Sequence, residues 1–383
     1  MKKTIFIFTI FIINNLFSQN RLNGIILDYD TKKPIEYVDI YNNENFTSTN
    51  SEGKFLFISK NDSINIRLIG YESLKTAFNQ IKNDTIFLKS KFNELDEIIV
   101  SNKNFLNKIR TNITQNYPFE PYTETFFLRC YIKKNGELLK IQDINGIVKR
   151  KTLFATKEKP MPKKNYEVNV LNVRKAGVYE EDIYFKMFNF KVILNELATV
   201  GVDKNLFYFN EQTSKNNDFT KYYFSPNSKN KANLKGYYLV NKNDNAFTEF
   251  HLKRIDTSNN YIEKRGIKYK TTNYSKTVFF KKNIDKNNYF IDKGKINAKV
   301  EVIDKNGEKI IYNAVYTLIT LDQNNLKLNK KHSINKDIFK FKKPYDKEFW
   351  KEQEYLLLTE EMNTFLKKLK DSNKEFKTIT NIK

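Results

Sequence analysis

Nucleophilic, metal-assisted and paired-carboxylate chemistry would each have to draw on few side chains in this sequence. Across 383 residues there is one cysteine, Cys130, two histidines, His251 and His332, and one unbroken acidic triplet, Glu180-Glu181-Asp182. A zinc peptidase needs two His and a Glu as ligands and a further carboxylate as base. His251 and His332 fall in separate β-patterns, and neither stands in a His-x-x-Glu or His-Glu-x-x-His arrangement. No Gly-x-Ser-x-Gly elbow supports a serine nucleophile. Paired carboxylates divide acid and base roles only where their environments separate their pKa values. The triplet reads more simply as the acidic opening of a helix over residues 182–197, where negative charge suits the positive end of the helix dipole.

The elements around the thiol decide its role. In Phe126-Phe127-Leu128-Arg129-Cys130-Tyr131-Ile132, the residues Phe126, Leu128, Cys130 and Ile132 alternate onto one strand face, opposite Arg129 and Lys133. Reactive cysteines need a partly exposed, electropositive setting, so Cys130 is expected to be a buried structural thiol. No residue is therefore assigned a catalytic, cofactor-binding or metal-binding role, and no cofactor is expected.

The formal charge is +23, from 67 Lys and Arg against 44 Asp and Glu. Only eight of the cations are Arg, the residue suited to bidentate phosphate and base contacts. The lysines are spread and interleaved with Asn, as in Lys163-Lys164-Asn165 and Asn241-Lys242-Asn243. A dispersed, solvated surface is the reading, and no nucleic-acid partner is expected.

Lys2 and Lys3 precede an apolar run over residues 5–13, with small and polar Ser18 and Gln19 beyond it. That is the form of a signal peptide over residues 1–18, and the run is short for a membrane span, which takes about 20 apolar residues. An exported chain with a single cysteine has no intramolecular disulfide and must be stabilised by packing. Its 40% hydrophobic and 15% aromatic content is enough to do so.

Residues 20–90 are short β-patterns separated by turns. Ile64, Ile66 and Leu68 alternate with Asn65 and Arg67, and Gly53 and Gly70 stand where turns are needed. Gly24, Asp28, Pro34-Ile35, Val38-Asp39-Ile40, Thr49-Asn50-Ser51-Glu52-Gly53-Lys54-Phe55 and Ile69-Gly70-Tyr71 follow in order. This string resembles the carboxypeptidase D regulatory-like domain. The resemblance implies a transthyretin-like β-sandwich of seven or eight strands without catalytic residues of its own. Leu95-Asp96-Glu97-Ile98-Ile99-Val100 is similar to the segment after this domain in Gram-negative envelope proteins, so residues 91–104 are expected to be a linker.

Residues 105–383 read as a larger antiparallel β-domain. Asn135-Gly136 and Asn306-Gly307 mark hairpins, and Asn243-Asp244-Asn245 marks a third. Further strands are expected over 222–225, 262–270, 277–281 and 338–341. Residues 157–165 form a loop in which Pro160 and Pro162 forbid regular helix. Beyond Thr359, the stripe Met362, Phe365, Leu366, Leu369 predicts a C-terminal helix packed on the sheet. The strand entering Lys235-Gly236-Tyr237-Tyr238-Leu239-Val240, followed by Ala246-Phe247-Thr248-Glu249-Phe250, is similar to half-barrels of lipoprotein carriers and lipid-binding periplasmic sensors. Those bind acyl chains between a concave sheet and covering helices.

The expected fold class is mainly β, an N-terminal sandwich plus a larger antiparallel domain with one or two packed helices. The expected function is that of a non-enzymatic exported envelope protein, periplasmic or associated peripherally with the outer membrane, whose larger domain binds a partner or an apolar ligand. A hydrolase of unrecognised type and a cell-surface adhesion or spacer role are the alternatives.

Overall fold

The computed structural model describes residues 19–81, 84–92, 98–100, 104–178, 184, 187–213, 218–230, 233–323, 326–352 and 355–371. The protein is mainly β, and its chain divides into two compact units, Met1–Lys91 with Trp350–Thr359, and Phe92–Phe349 with Glu360–Lys383. The signal-like residues 1–18 and the triplet Glu180-Glu181-Asp182 lie outside the described residues.

Among the described residues, the first unit holds seven strands, β1 (Asn20–Asp28), β2 (Asp39–Tyr41), β3 (Phe46–Ser48), β4 (Lys54–Ser59), β5 (Ser63–Arg67), β6 (Leu74–Ala77) and β7 (Thr85–Leu88). They form two sheets, ordered β4-β1-β7 and β3-β2-β5-β6, with β1 and β7 parallel and the other neighbours antiparallel. Ile26, Phe55 and Phe57 of one sheet and Ile40, Ile64 and Ile66 of the other share a single apolar core. Period-two alternation makes this core, because each strand turns every second side chain inward. Gly53 has φ of 72°, and a Cβ there would lie 2.5 Å from the Ile26 carbonyl, so glycine alone fits this turn. Asp28 organises the next loop by accepting from Thr31 N, Thr31 Oγ1 and Tyr71 Oη. Residues 350–359 complete the unit: Ser48 N donates to Tyr355 O at 3.0 Å, and Ser48 bridges Leu356 in parallel.

The second unit is built on one long sheet. Its strands are β8 (Ile98–Val100), β9 (Tyr122–Lys134), β10 (Glu137–Arg150), β11 (Tyr166–Gly177), β12 (Phe207–Thr213), β13 (Phe219–Pro226), β14 (Leu234–Asn241), β15 (Ala246–Ile255), β16 (Ile262–Lys264), β17 (Ile267–Asn283), β18 (Asn288–Ile303) and β19 (Lys309–Asp322). The path runs β11-β10-β9-β19-β18-β17-β15-β14-β13-β12-β8, with β16 folded back on β17. Every pairing along it is antiparallel. Its helices are α1 (Asn104–Asn116), α2 (Phe190–Ala198) and α4 (Glu360–Asp371), and α3 (Lys347–Glu352) begins in this unit and ends in residues 350–359 of the first.

Tight turns make neighbours of consecutive strands. Asn135 and Gly136 join β9 to β10 with φ of 49° and 96°, the conformation that matches strand twist. Gly307 between β18 and β19 and Asn245 between β14 and β15 also take positive φ.

Four expectations change. Residues 91–104 are not only a connector, because Ile98–Val100 pairs with β12 as the edge strand β8. Residues 350–359 belong to the sandwich unit, not the larger one. Of the helix expected over 182–197, the described residues show Phe190–Ala198, whose start is capped where the Asn189 side chain accepts from Val192 N. The strand expected over 338–341 is a 3-10 turn at Ile338–Lys340, because Asp337 Oδ1 captures Phe339 N at 2.9 Å.

Candidate functional site

One face of the long sheet is apolar and covered by helices. Cross-strand partners share a face, so a row can be followed through Val173, Ile144, Leu128, Leu318, Gly294, Val278, Phe250, Tyr238 and Tyr222, from β11 to β13. All but Gly294 and Tyr222 belong to the buried set of one continuous core, and Tyr222 packs against it. Gly294 is the notch in this row. A Cβ there would lie 2.5 Å from Leu197 Cδ2, so the last turn of α2 seats its leucine where the sheet has no side chain.

Aromatic rings hold α1 against the same face. Phe105 stacks on Tyr222 with centroids 3.8 Å apart and meets Phe209 and Tyr238 edge-on. Just beyond the helix, Tyr117 lies 4.8 Å from Phe247 and 4.9 Å from Phe154, and its hydroxyl donates to Phe247 O at 2.7 Å. Phe154, in the loop after β10, is itself 5.5 Å from Phe247 of β15, five strands away along the sheet. Such reach follows from twist, since an open sheet of about ten strands coils upon itself.

Polar contacts pin the cover. Lys276, on β17, donates to Glu196 O and Thr199 O at 2.9 and 2.6 Å, capping the end of α2. Burial pulls the Lys276 ammonium below its ordinary pKa, with Glu196 opposing that shift. Tyr238 donates to Val200 O at 2.8 Å. Residues 332–341 form a strap: His332 N donates to Val168 O, Gln142 Nε2 donates to Ile338 O, and Lys191 N donates to Ile334 O. Phe190 of α2 meets Phe126 and Phe341 edge-on beneath it.

The opposite face carries a buried ion triad. Asp143 on β10 accepts from Arg129 of β9 at 2.9 Å through both carboxylate oxygens and from Arg174 Nε of β11 at 2.8 Å. Burial alone would push the Asp143 carboxyl up, but the two guanidiniums outweigh it and hold it below its usual range. Helix α4 lies against β10 and β11, with Met362 buried and Lys133 Nζ 2.6 Å from Glu361 Oε2.

Cys130 sits in the apolar row beside Leu128 and Ile132, fully buried, and burial pushes its thiol well above the ordinary value. His251 stacks on Tyr237, and its Nδ1 lies 2.9 Å from Thr277 Oγ1. His332 Nδ1 accepts from Val170 N at 3.1 Å, so this imidazole serves as a strand partner. The two histidines stand on β15 and on the strap, and no group of three His, Cys, Asp or Glu able to hold a metal occurs among the described residues.

No protein-family profile matches the chain, and no curated protein matches it either. Among solved structures it is similar to an outer membrane lipoprotein-sorting protein domain from Vibrio parahaemolyticus, with 9% identity and a TM-score of 0.25, over 57% of this chain and 91% of that one. It is also similar to lipovitellin, in a structure describing lipid–protein interactions, with 8% identity and a TM-score of 0.25, over 58% of this chain. There it spans only 27% of the other chain's length. At such TM-scores neither likeness bears on fold or function.

Proposed function

We propose that this chain is a non-catalytic binding protein of the cell envelope. Its long sheet takes an apolar, acyl-type ligand between the aromatic face and the α1–α2 cover, and the small sandwich acts as a supporting module. The observation that carries this reading is the nature of the cover. A row of apolar side chains crossing nine strands is closed by two short helices and a strap, where a sandwich would close it with a second sheet. Helix α2 is nine residues long, too short to be stable without its contacts, so its seat at Gly294 and its cap at Lys276 decide whether the face is open. A chain of methylene groups entering there replaces apolar contacts with apolar contacts, and each buried CH₂ contributes about 0.8 kcal/mol.

The test uses the full chain, recovered from its native host and analysed by native mass spectrometry and organic extraction. Its thermal unfolding is then followed with dodecanol added as a neutral acyl probe. Co-purifying lipid or a dose-dependent rise in Tm is expected, since a ligand at a hundred times its Kd stabilises the fold by about 2.7 kcal/mol. An empty protein whose Tm ignores the probe would sink the reading. Cell fractionation checks the envelope assignment, and recovery in the cytoplasm would refute it.

A further inference from the structure

A second cluster lies at the end of the sheet where β9 and β11 begin. Register places Tyr122, Arg150 and Tyr166 side by side on three neighbouring strands, and Glu124 two residues along from Tyr122 on the same face. Arg150 is fully buried, and its Nε donates to Glu124 Oε2 at 2.7 Å. Among the described residues, its two terminal nitrogens, Nη1 and Nη2, have no hydrogen-bond partner, although the guanidinium lies over the Tyr166 ring, and neither do the hydroxyls of Tyr122 and Tyr166 or Glu124 Oε1. Buried polar groups are nearly always partnered, because an orphan costs about 1–3 kcal/mol. Four orphans in one row are donors, two on a guanidinium and two on phenols, which is the inventory that binds an oxyanion.

A cavity borders the end of this row at Tyr122. Of about 480 Å³, it is lined by Tyr122, Lys149, Glu167, Leu326, Lys327 and Lys331, among others. Tyr122 belongs to both cavity and cluster, whereas Thr123, Lys149 and Glu167 are register partners on the face of the sheet opposite Arg150. Glu167 is engaged by Lys331 at 3.0 Å, so Lys149 and Lys327 tip the mouth towards positive charge.

We propose that Arg150, Tyr122 and Tyr166 form an oxyanion site, bordering the cavity at Tyr122, which takes the carboxylate or phosphate headgroup of an acyl ligand. This deepens the reading of the long sheet as an acyl-binding surface and rests on it for the chain, but not for the headgroup.

Binding of dodecanoate, dodecyl phosphate, dodecanol and inorganic phosphate to the full chain is measured by calorimetry. The comparison proteins are Arg150→Lys and the double variant Tyr122→Phe/Tyr166→Phe. The double variant removes two unpartnered hydroxyls and keeps the rings, so its urea stability should equal or exceed that of the natural chain. Either dodecyl anion is expected to bind about tenfold or more tightly than dodecanol, with that preference lost in both variants. If dodecanol binds as well as the anions, the oxyanion site is wrong and the acyl surface stands. A preference that survives in the double variant also overturns the site. Inorganic phosphate binding with the same dependence, where dodecanol fails, upholds the site and removes the acyl chain.

Discussion

Lys276 and Glu196 are joined through both main chain and side chain. The Lys276 ammonium donates to the Glu196 carbonyl at 2.9 Å and lies 3.4 Å from its carboxylate, which also accepts from Tyr274 Oη at 2.5 Å. A strand side chain thus holds the last turn of α2. Lys276→Met should remove the donor shared by the part-buried Glu196 and Thr199 carbonyls and cost about 1–2 kcal/mol. Urea unfolding checks this, and a loss within experimental error would show that the cap is dispensable.

Gly294 and Gly236 should respond differently to alanine. At Gly294 the new Cβ meets the end of the Leu197 side chain, so Gly294→Ala overpacks the seat of α2 and should cost about 1–3 kcal/mol. Adding Leu197→Ala should recover part of that loss, a coupling that a double-mutant cycle reads directly. At Gly236 the Cβ would lie 1.9 Å from the His251 carbonyl oxygen, a main-chain atom that cannot rotate away. Gly236→Ala should be the more damaging by chevron or melting analysis, and the reverse order would contradict this packing.

The Asp143 triad makes stability depend on acid pH with a defined sign. Its folded-state pKa lies below the ordinary 3.8, so its contribution is present above that value and fades as pH falls through the folded one. Asp143→Asn should cost about 3–5 kcal/mol near neutral pH, because Arg129 and Arg174 lose their buried counter-charge. The gap between the natural chain and the variant should narrow in urea titrations below pH 3.8. A gap that stays constant would mean that Asp143 is not ionised in the fold.

Cys130 should report global unfolding. Its thiol is fully buried and its pKa is raised by burial, so thiolate is scarce in the native state. Labelling by a disulfide reagent should proceed at the unfolding rate and jump in denaturant. Rapid modification of the folded chain would place the thiol at the surface.

How much of this was legible in the sequence depends on the range of the interactions. Asn135-Gly136 and Asn306-Gly307 announce hairpins locally, and both occur as expected. The alternation around Cys130 is equally local, and it gives the right face. Phe188 imitates part of a helical stripe in the sequence, but the Asn189 side chain caps α2 one residue later and leaves Phe188 outside it. Strand β8 was hidden because its partner β12 lies about a hundred residues away, and pairing over that distance leaves no local mark. The Arg150 row was missed for another reason. Lys149 and Arg150 are consecutive cations, so alternation cannot say which one points inward, and only the register with Tyr122 and Tyr166 decides.

The segment Trp350–Thr359 also orders events in time. Ser48 and Asn50 bond to Tyr355 and Leu358, across some three hundred residues of chain. Synthesis runs from the N-terminus, so the first unit to emerge is the last to be finished. Every strand of the long sheet, from Ile98 to Asp322, is delivered before residues 350–359 arrive. The sandwich must wait with one segment missing while its neighbour forms. A chain interrupted anywhere before Trp350 would leave the early unit incomplete, and a lesion near the C-terminus would surface as a folding defect near the N-terminus.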